Sequence, residues 1–248
     1  NIKMEVARMK KNILVLCIMI FLFFSNINAF NEIDIIEFNN IPNTFKIEVQ
    51  EVSGDKIIRA ISSSSYIKGV VSGEMDYGWN DEAYKAQAVA SRTWALHKIL
   101  NPAQAKHKEA GKPYFCAEEC CQKFTYLYKN KPINWDNPPI VYQARATAAA
   151  QTNSQVIKGN FNTKQGIIDA MFYAHSGDKG AEYYIIDSEK SIATTYYHPY
   201  LRKTITPEPN QKGAGGHSVG MSQWGAQYLA NNFGYNYEEI LKHYYGLV

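Results

Sequence analysis

Glu74 is the residue of this sequence that is best placed to act as an acid or a base. It stands just before a segment predicted to be helical from about Asn80 to Leu100, because alanine, glutamine, lysine and leucine dominate there without glycine or proline. Asn80 is a good N-cap, and Asp81 and Glu82 suit the first turn. A carboxylate fixed at such a helix could exchange protons with a bound substrate, although an ordinary surface glutamate would have the same sequence surroundings.

The predicted helix carries polar side chains among its alanines, notably Gln87 and Arg92. We expect both to bind substrate. For Arg92 a structural ion pair is the alternative, and we expect no direct contact with Glu74, because a close guanidinium would favour the ionised carboxylate. An acid that starts protonated near neutral pH needs a raised pKa, and hence an apolar rim. The candidates for this rim are Met75, Tyr77 and Trp79.

A second candidate site lies near the C-terminus, where residues 216–220 spell G-x-S-x-G, the pattern of the nucleophile elbow of α/β-hydrolases. That elbow follows a buried strand, whereas residues 206–215 contain two prolines and no apolar run. It also needs an acid and a histidine on separate loops, and the candidates after the motif lie together on one predicted helix. The sequence therefore argues against a serine hydrolase.

The glycines of this motif allow a different function, because they let an extended ligand approach the backbone closely. Neighbouring imidazole, amide and indole groups supply hydrogen bonds and a stacking face, which suits a sugar. The residues that we expect to bind it are Gly216, His217, Gln223 and Trp224. For Trp224 the alternative is an anchor in the core.

Three cysteines follow the N-terminal apolar segment, namely Cys116, Cys120 and Cys121. An odd number does not close a disulfide framework, so one disulfide with one free thiol is one alternative. The other is a tetrahedral zinc site with His107 as the fourth ligand. Either would pin the long irregular segment 101–139, and we expect neither to be needed for the chemistry.

Length, charge and the N-terminal segment restrict the class of protein. The chain has 248 residues, 46% of them hydrophobic, which is enough to bury a core in one domain. Its net charge of +3 comes from scattered basic residues, so we expect no nucleic-acid partner. Basic residues, the 12-residue apolar run Ile13–Phe24 and then Ala29 predict a signal peptide over residues 1–29, with a membrane anchor as the alternative. We therefore expect an exported protein of the periplasm or cell envelope, whose residues 30–248 form the mature domain.

The mixture of short alternating segments and helical ones predicts a single α+β domain with a long, irregular, cysteine-containing insertion. Phe45–Val49 and Lys56–Ile61 flank the turn at residues 53–55 and predict a hairpin. Further helices are predicted at Tyr142–Gln151, Ser218–Asn231 and Tyr237–Tyr245, and further strands at Val156–Ile157 and Ile167–Ala174.

Two long motifs resemble the signatures of the SpoIID family. They are G-E-M with E-A-x-K-A-Q-A-V-A-x-R-T in Gly73–Thr93, and G-G-H-S-V-G-M-S-Q-W-G-A in Gly215–Ala226. Weaker similarity extends from about Phe45 to Gly246. The resemblance implies that a short helix ends at Glu74, and that His175 and Ser176 line the same cleft, a strand-end turn being the alternative for those two. Several members bind zinc through a cluster ending in His-Cys-Gln, where this chain has Cys120-Cys121-Gln122.

The resemblance further implies a lytic transglycosylase that acts on bacterial peptidoglycan. Glu74 would give a proton to the glycosidic oxygen between N-acetylmuramic acid and N-acetylglucosamine. It would then take the proton of the muramyl 6-hydroxyl as that oxygen closes a 1,6-anhydro ring, whereas ordinary hydrolysis uses two carboxylates. The glycan could be peptide-stripped, and the process could be sporulation, division or wall remodelling. The alternative is a non-catalytic, glycan-binding enhancer of a partner N-acetylmuramoyl-L-alanine amidase.

Overall fold

A computed structural model describes residues 33–118, 120–159, 164–174, 182–187, 192–197 and 220–246. The chain combines helices with several small sheets, so the predicted α+β class is confirmed. The α-helices of the described residues are α1 (Ser63–Glu74), α2 (Asp81–Leu100), α3 (Ile140–Gln151), α4 (Gln223–Phe233) and α5 (Tyr237–Tyr245). Short 3₁₀ turns cover Pro102–Gln104 and Lys164–Gly166.

The strands of the described residues are mostly short. They are β1 (Ile33–Glu37), β2 (Thr44–Gln50), β3 (Lys56–Ser62), β4 (His107–Glu109), β5 (Lys112–Cys116), β6 (Leu127–Tyr128), β7 (Lys131–Pro132), β8 (Gln155–Gly159), β9 (Phe172–Tyr173), β10 (Glu182–Asp187), β11 (Ile192–Tyr197) and β12 (Met221–Ser222). Four of them form one sheet in the order β3-β2-β5-β4. The others pair as β1 with β8, β6 with β7, β9 with β12 and β10 with β11.

The predicted hairpin is confirmed as β2 and β3, which pair antiparallel from Thr44 opposite Ser62 to Gln50 opposite Lys56. Apolar and polar residues alternate along β2, so one of its faces is buried and the other is not. β5 then runs parallel to the other edge of β2. The sheet therefore brings the cysteine-containing insertion, which contains β4 to β7, against the hairpin.

Helix α2 lies at the centre of the fold and begins where its sequence predicts. The Asn80 side chain accepts a hydrogen bond from Glu82 N at 2.9 Å, which caps the first turn. Small alanines let other elements approach on several sides, and α2 contacts α1, α3, α4, α5 and β8. Most of the helix is buried for that reason.

Two predicted elements differ from the structure. The strand predicted at Ile167–Ala174 is limited to β9 and an isolated bridge from Ile167 to Lys158, although the segment is almost wholly buried. A short apolar run is buried in either conformation, so burial alone did not identify a strand. The helix predicted from Ser218 begins instead at Gln223, after β12. The predicted signal peptide lies outside the described residues, among which no helix has the length and apolar character needed to cross a bilayer.

Candidate active site

Glu74 is the last residue of α1, and both of its carboxylate oxygens accept hydrogen bonds. The Lys123 main-chain N–H donates to Oε1 at 2.6 Å, and the Gln223 side-chain amide donates to Oε2 at 3.2 Å. These donors lie 49 and 149 residues away along the chain. The half-buried carboxylate is therefore fixed in position by two segments that only the fold brings together.

Arg145 of α3 holds the end of α1. Its guanidinium donates to the main-chain carbonyls of Ser72 at 3.1 Å and Met75 at 2.8 Å, and also to that of Val141. A cation at the C-terminus of a helix satisfies its free carbonyls and complements its dipole. Because the Ser72 and Met75 carbonyls flank Glu74, the arginine sets the position of the glutamate backbone.

Two glycines of α1 let the segment that carries Lys123 pack directly on the helix. A Cβ on Gly69 would collide with the Phe124 ring, and a Cβ on Gly73 would collide with the Lys123 carbonyl. The Thr125 N–H donates to the Gly69 carbonyl at 3.1 Å. This close approach is what carries the Lys123 N–H to Glu74.

The structure brings together three of the predicted site residues, Glu74, Gln87 and Gln223. The Gln223 amide nitrogen lies 3.4 Å from Gln87 Oε1 as well as within reach of Glu74. The Gln87 amide in turn donates to Ser91 Oγ at 3.0 Å. Gln87 is fully buried, so it reaches the carboxylate through Gln223 and not through an open face.

An aromatic pair lies beside this cluster. The ring centroids of Trp79 and Trp224 are 4.6 Å apart, and both residues are half-buried. The main-chain N–H of Trp224 donates to the Ala174 carbonyl at 3.0 Å. Of the other rim candidates, Met75 is buried in the core and Tyr77 is 73% exposed. The groups observed at the Glu74 oxygens are thus polar donors, which the expectation of an apolar rim did not anticipate.

The expected substrate-binding role of Arg92 does not agree with its surroundings. The guanidinium is buried and donates to the carbonyls of Gln155 at 2.9 Å and Ala149 at 3.3 Å. Burial lowers the pKa of Arg92 to about 10, which still leaves it charged at neutral pH. Arg92 therefore joins α2 to the end of α3 and the start of β8, a structural role based on carbonyls and not on an ion pair.

The other predicted site residues fall in two groups. His175, Ser176, Gly216 and His217 lie outside the described residues. The second group consists of the predicted metal ligands His107, Cys116, Cys120 and Cys121, whose ligand atoms all lie within 4.8 Å of one another.

Within this Cys/His cluster, His107 Nε2 is 3.3 Å from Cys120 Sγ, and the Cys116 N–H donates to Cys121 Sγ at 3.4 Å. The sulfurs of Cys116 and Cys120 are close enough for a disulfide, and Cys121 is the free cysteine of the described residues. Burial raises the pKa of the Cys121 thiol. The donor set therefore fits a tetrahedral zinc ion, and one disulfide with a free thiol is also compatible with it.

Three contributing groups were not predicted from the sequence. The Lys123 N–H is a main-chain donor, so no side-chain pattern marks it. Gln122 donates to the Ser91 carbonyl at 3.1 Å and faces the Tyr66 hydroxyl at 3.4 Å. Arg145 had a usable signal, since it is the one charged residue in the alanine-rich sequence of α3.

Comparisons with known proteins agree with the first of the two motifs, Gly73–Thr93. Residues 52–158 match the family described as SpoIID: Stage II sporulation protein. The chain is also similar to an uncharacterized protein of Brachyspira hyodysenteriae (strain ATCC 49526 / WA1), with 25% identity over 254 aligned positions. That alignment covers 76% of this chain and 66% of the relative, so the chain spans slightly less than two thirds of the relative's length.

Proposed function

The chain belongs to the SpoIID family through residues 52–158, and from this premise we propose that it is a peptidoglycan lytic transglycosylase in which Glu74 is the acid and base. The family is associated with sporulation and with degradation of the bacterial cell wall. The substrate would be the glycan strand, cut between N-acetylmuramic acid and N-acetylglucosamine. Peptide-stripped strands are the preferred form of this substrate in the proposal.

The observation that carries the proposal is the arrangement of donors around Glu74. A solvated surface glutamate has no need of a donor on each oxygen, and here the donors come from segments 49 and 149 residues away. Glu74 is also only half-buried, so the residue is not sealed inside the core. An acid or base that is fixed in orientation yet accessible is what a one-carboxylate mechanism requires.

The proposed reaction conserves protons and consumes no water. The protonated carboxyl gives its proton to the glycosidic oxygen as the bond from C1 to that oxygen breaks. The muramyl 6-hydroxyl oxygen forms the new bond to C1, and its proton returns to Glu74. The Lys123 N–H and the Gln223 amide hold the carboxylate oxygens throughout, and the Trp79–Trp224 pair supplies an apolar face on which a sugar ring can stack.

The test is mass spectrometry of purified peptidoglycan after incubation with the protein. Intact and amidase-stripped glycan are each treated with wild type, Glu74→Gln and Glu74→Ala. We expect anhydromuramyl ends from wild type, and a loss of about 10³-fold or more in both variants, because neither side chain can give and take a proton.

Glu109→Gln is the matched control, since Glu109 is an exposed glutamate whose ion pair with Lys46 lies in the four-stranded sheet. It should leave the product yield unchanged. If no anhydro product forms on either substrate while glycan binding is retained, the enzyme proposal fails. That result would support the alternative, an enhancer that holds glycan for a partner amidase.

We also propose that the Cys/His cluster holds a structural zinc ion. A disulfide would use two of the four residues, whereas all four ligand atoms converge here, including one imidazole and a third thiol. A bound ion would pin the segment whose next residues, Gln122 and Lys123, reach the core and Glu74. Elemental analysis should find about one zinc per chain, decreasing in Cys121→Ser. Absence of zinc together with a mass lower by two hydrogen atoms than that of the reduced chain would identify the disulfide instead.

Export remains part of the proposal. Residues 1–29 would serve as a signal peptide and residues 30–248 as the mature domain of the cell envelope. N-terminal sequencing of the protein recovered from the envelope fraction should begin near Phe30. Recovery of the uncleaved chain in membranes would favour the anchor.

A further inference from the structure

Three side chains form a continuous line of hydrogen bonds that starts at Glu74 and ends inside the protein. We call Gln223, Gln87 and Ser91 the amide chain. Its contacts are Gln223 Nε2 to Glu74 Oε2 at 3.2 Å, Gln223 Nε2 to Gln87 Oε1 at 3.4 Å, and Gln87 Nε2 to Ser91 Oγ at 3.0 Å. The line therefore joins α1, α4 and α2.

The amide chain is unusual because its polar side chains are buried. Gln87 and Ser91 are fully buried and Gln223 is 5% exposed, and they lie on the alanine-rich helix α2 and at the start of α4. Buried amides carry a large desolvation cost unless they find partners inside the protein. Apolar residues could fill the same space without that cost, so two amides in series at a carboxylate call for an explanation.

The explanation lies in what amides and hydroxyls can exchange. A primary amide offers a donor nitrogen and an acceptor oxygen of nearly the same shape, and a half-turn of its side chain interchanges them. With Glu74 ionised, Gln223 donates to it and to Gln87 Oε1, and Gln87 donates to Ser91 Oγ. With Glu74 protonated, its O–H can donate to Gln223 Oε1, Gln87 can donate to the same oxygen, and the rotated Ser91 hydroxyl can donate to Gln87 Oε1.

Both directions use every contact, because each contact of Gln223 goes through one and the same terminal atom. That atom is a nitrogen with two protons in one state and an oxygen with two lone pairs in the other. Ser91 can end the line in either state because its hydroxyl is both donor and acceptor. The proton itself stays on Glu74, and only the direction of the hydrogen bonds reverses.

We propose that the amide chain reverses its hydrogen-bond direction with the protonation state of Glu74, so that Gln87 and Ser91 are positioning residues for both halves of the reaction. This inference rests on the proposed function, in which Glu74 must be an acid at one step and a base at the next. A fixed donor such as the Lys123 N–H serves only an accepting oxygen. The amide chain serves the oxygen that gains and loses the proton.

Other groups near Glu74 bear on how this is tested. Among the described residues, the titratable or charged ones around it are Tyr66, Asp76, Cys121, Lys123 and Arg145. Burial, with the Cys121 thiol and the Glu74 carboxylate adding to it, raises the pKa of Tyr66 well above its ordinary value. Exposed Asp76 is a second carboxylate two residues from Glu74, so its contribution is removed separately by substitution.

The experiment follows the side-chain amides of glutamine by NMR. Protein with ¹⁵N-labelled glutamine and ¹³C-labelled glutamate is titrated from about pH 4 to pH 8, the range in which carboxyl groups change charge. We expect the Gln87 amide signals to shift with the midpoint of the Glu74 carboxyl carbon, although Gln87 does not touch Glu74. The shift should persist in Asp76→Asn and vanish in Glu74→Gln.

Gln223→Met tests whether the effect passes through the amide chain or through space. The variant keeps the distance between Glu74 and Gln87 but removes the connecting amide, so the Gln87 shift should fall at least about fivefold. Gln122→Met is the matched control. It also removes a buried amide, but that amide donates to the main-chain carbonyl of Ser91 and not to any side chain of the amide chain. It should leave the Gln87 titration in place. A Gln87 signal that does not titrate in wild type, or that titrates unchanged in Gln223→Met, would overturn the inference.

Kinetics separate this inference from the proposed function. In Gln87→Met, and in the milder Ser91→Ala, we expect kcat for anhydro-product formation to fall about tenfold, which corresponds to about 1.4 kcal/mol, with KM within twofold. An unchanged kcat in both variants would contradict a positioning role. If wild type forms no anhydro product but Gln87 still titrates with Glu74, the proposed function fails while the amide chain stands.

Discussion

Replacing Gly73 by alanine should disturb the site more than any comparably small change on the surface of α1. A Cβ there would lie 3.0 Å from the Lys123 carbonyl carbon and 3.1 Å from Thr125 Oγ1, and closer still to the Lys123 carbonyl oxygen. That oxygen must retreat by roughly 1 Å to reach ordinary contact distance. The Lys123 N–H belongs to the same residue, so its 2.6 Å bond to Glu74 would stretch out of hydrogen-bonding range.

Three contributions determine the change in the free energy of unfolding, and the first of them opposes the other two. Alanine in place of helical glycine stabilises by about 0.5–1 kcal/mol, overpacking costs about 1–3 kcal/mol, and loss of a hydrogen bond to a charged group costs about 1.5–3 kcal/mol. Together they give a net loss in the free energy of unfolding of about 1.5–5.5 kcal/mol, centred near 3.5 kcal/mol. For a domain of this size the central value lowers Tm by roughly 7–14 °C.

Thermal denaturation measures the change, and hydrogen exchange of the Lys123 amide reports the broken contact directly. Ser64→Ala, an exposed change in the same helix, is the control and should stay within about 0.5 kcal/mol. If Gly73→Ala melts at or above the wild-type temperature with its Lys123 amide still protected, the packing of that segment on α1 is not what limits the position of Glu74.

The remaining predictions concern the support of the site. Arg145→Ala leaves buried carbonyls without a donor and should cost about 2–4 kcal/mol by urea denaturation, and a loss under about 1 kcal/mol would contradict its role at the end of α1. Burial raises the pKa of Tyr66 and of Tyr245 well above 10.0 in the folded chain, so the unfolded chain releases those protons first. Stability should therefore be intact below about pH 10 and decrease above it, which denaturation at several alkaline pH values would test. Gly220→Ala combines φ +88° with a collision with the Met171 carbonyl, whereas Gly234→Ala meets φ +68° in open space. We expect losses of more than about 3 kcal/mol and of about 1 kcal/mol respectively, and equal losses would argue against the tight packing at Gly220.

The sequence identified those parts of the fold that depend on neighbouring residues. The helix from Asp81 to Leu100 was predicted because its cap, acidic first turn and alanines all lie within one stretch. The hairpin was predicted for the same kind of reason, since its alternation and turn are local. Glu74 and the candidates Gln87 and Gln223 came from motifs, and the structure places these three side chains together.

What could not be predicted depends on contacts between distant segments. The Lys123 N–H has no side-chain signature, and its role exists because Gly69 and Gly73 leave room for its backbone. Arg92 and Arg145 illustrate the same point, since both are arginines on alanine-rich helices. Their different targets, β8 and α3 carbonyls for one and the end of α1 for the other, follow from helix packing and not from their immediate sequence.

The spacing of the groups on Glu74 has a consequence for how the protein acquires its site during folding. Contacts that span 49 and 149 residues close large loops, and loop closure of that length is slow and late compared with the formation of a helix. A partly folded chain can hold α1 with its glutamate and still lack both donors. Neither a fragment ending before Lys123 nor one ending before Gln223 contains the complete constellation. The carboxylate is thus assembled only in the finished tertiary structure, and a chain still unfolded has no preorganised acid with which to act.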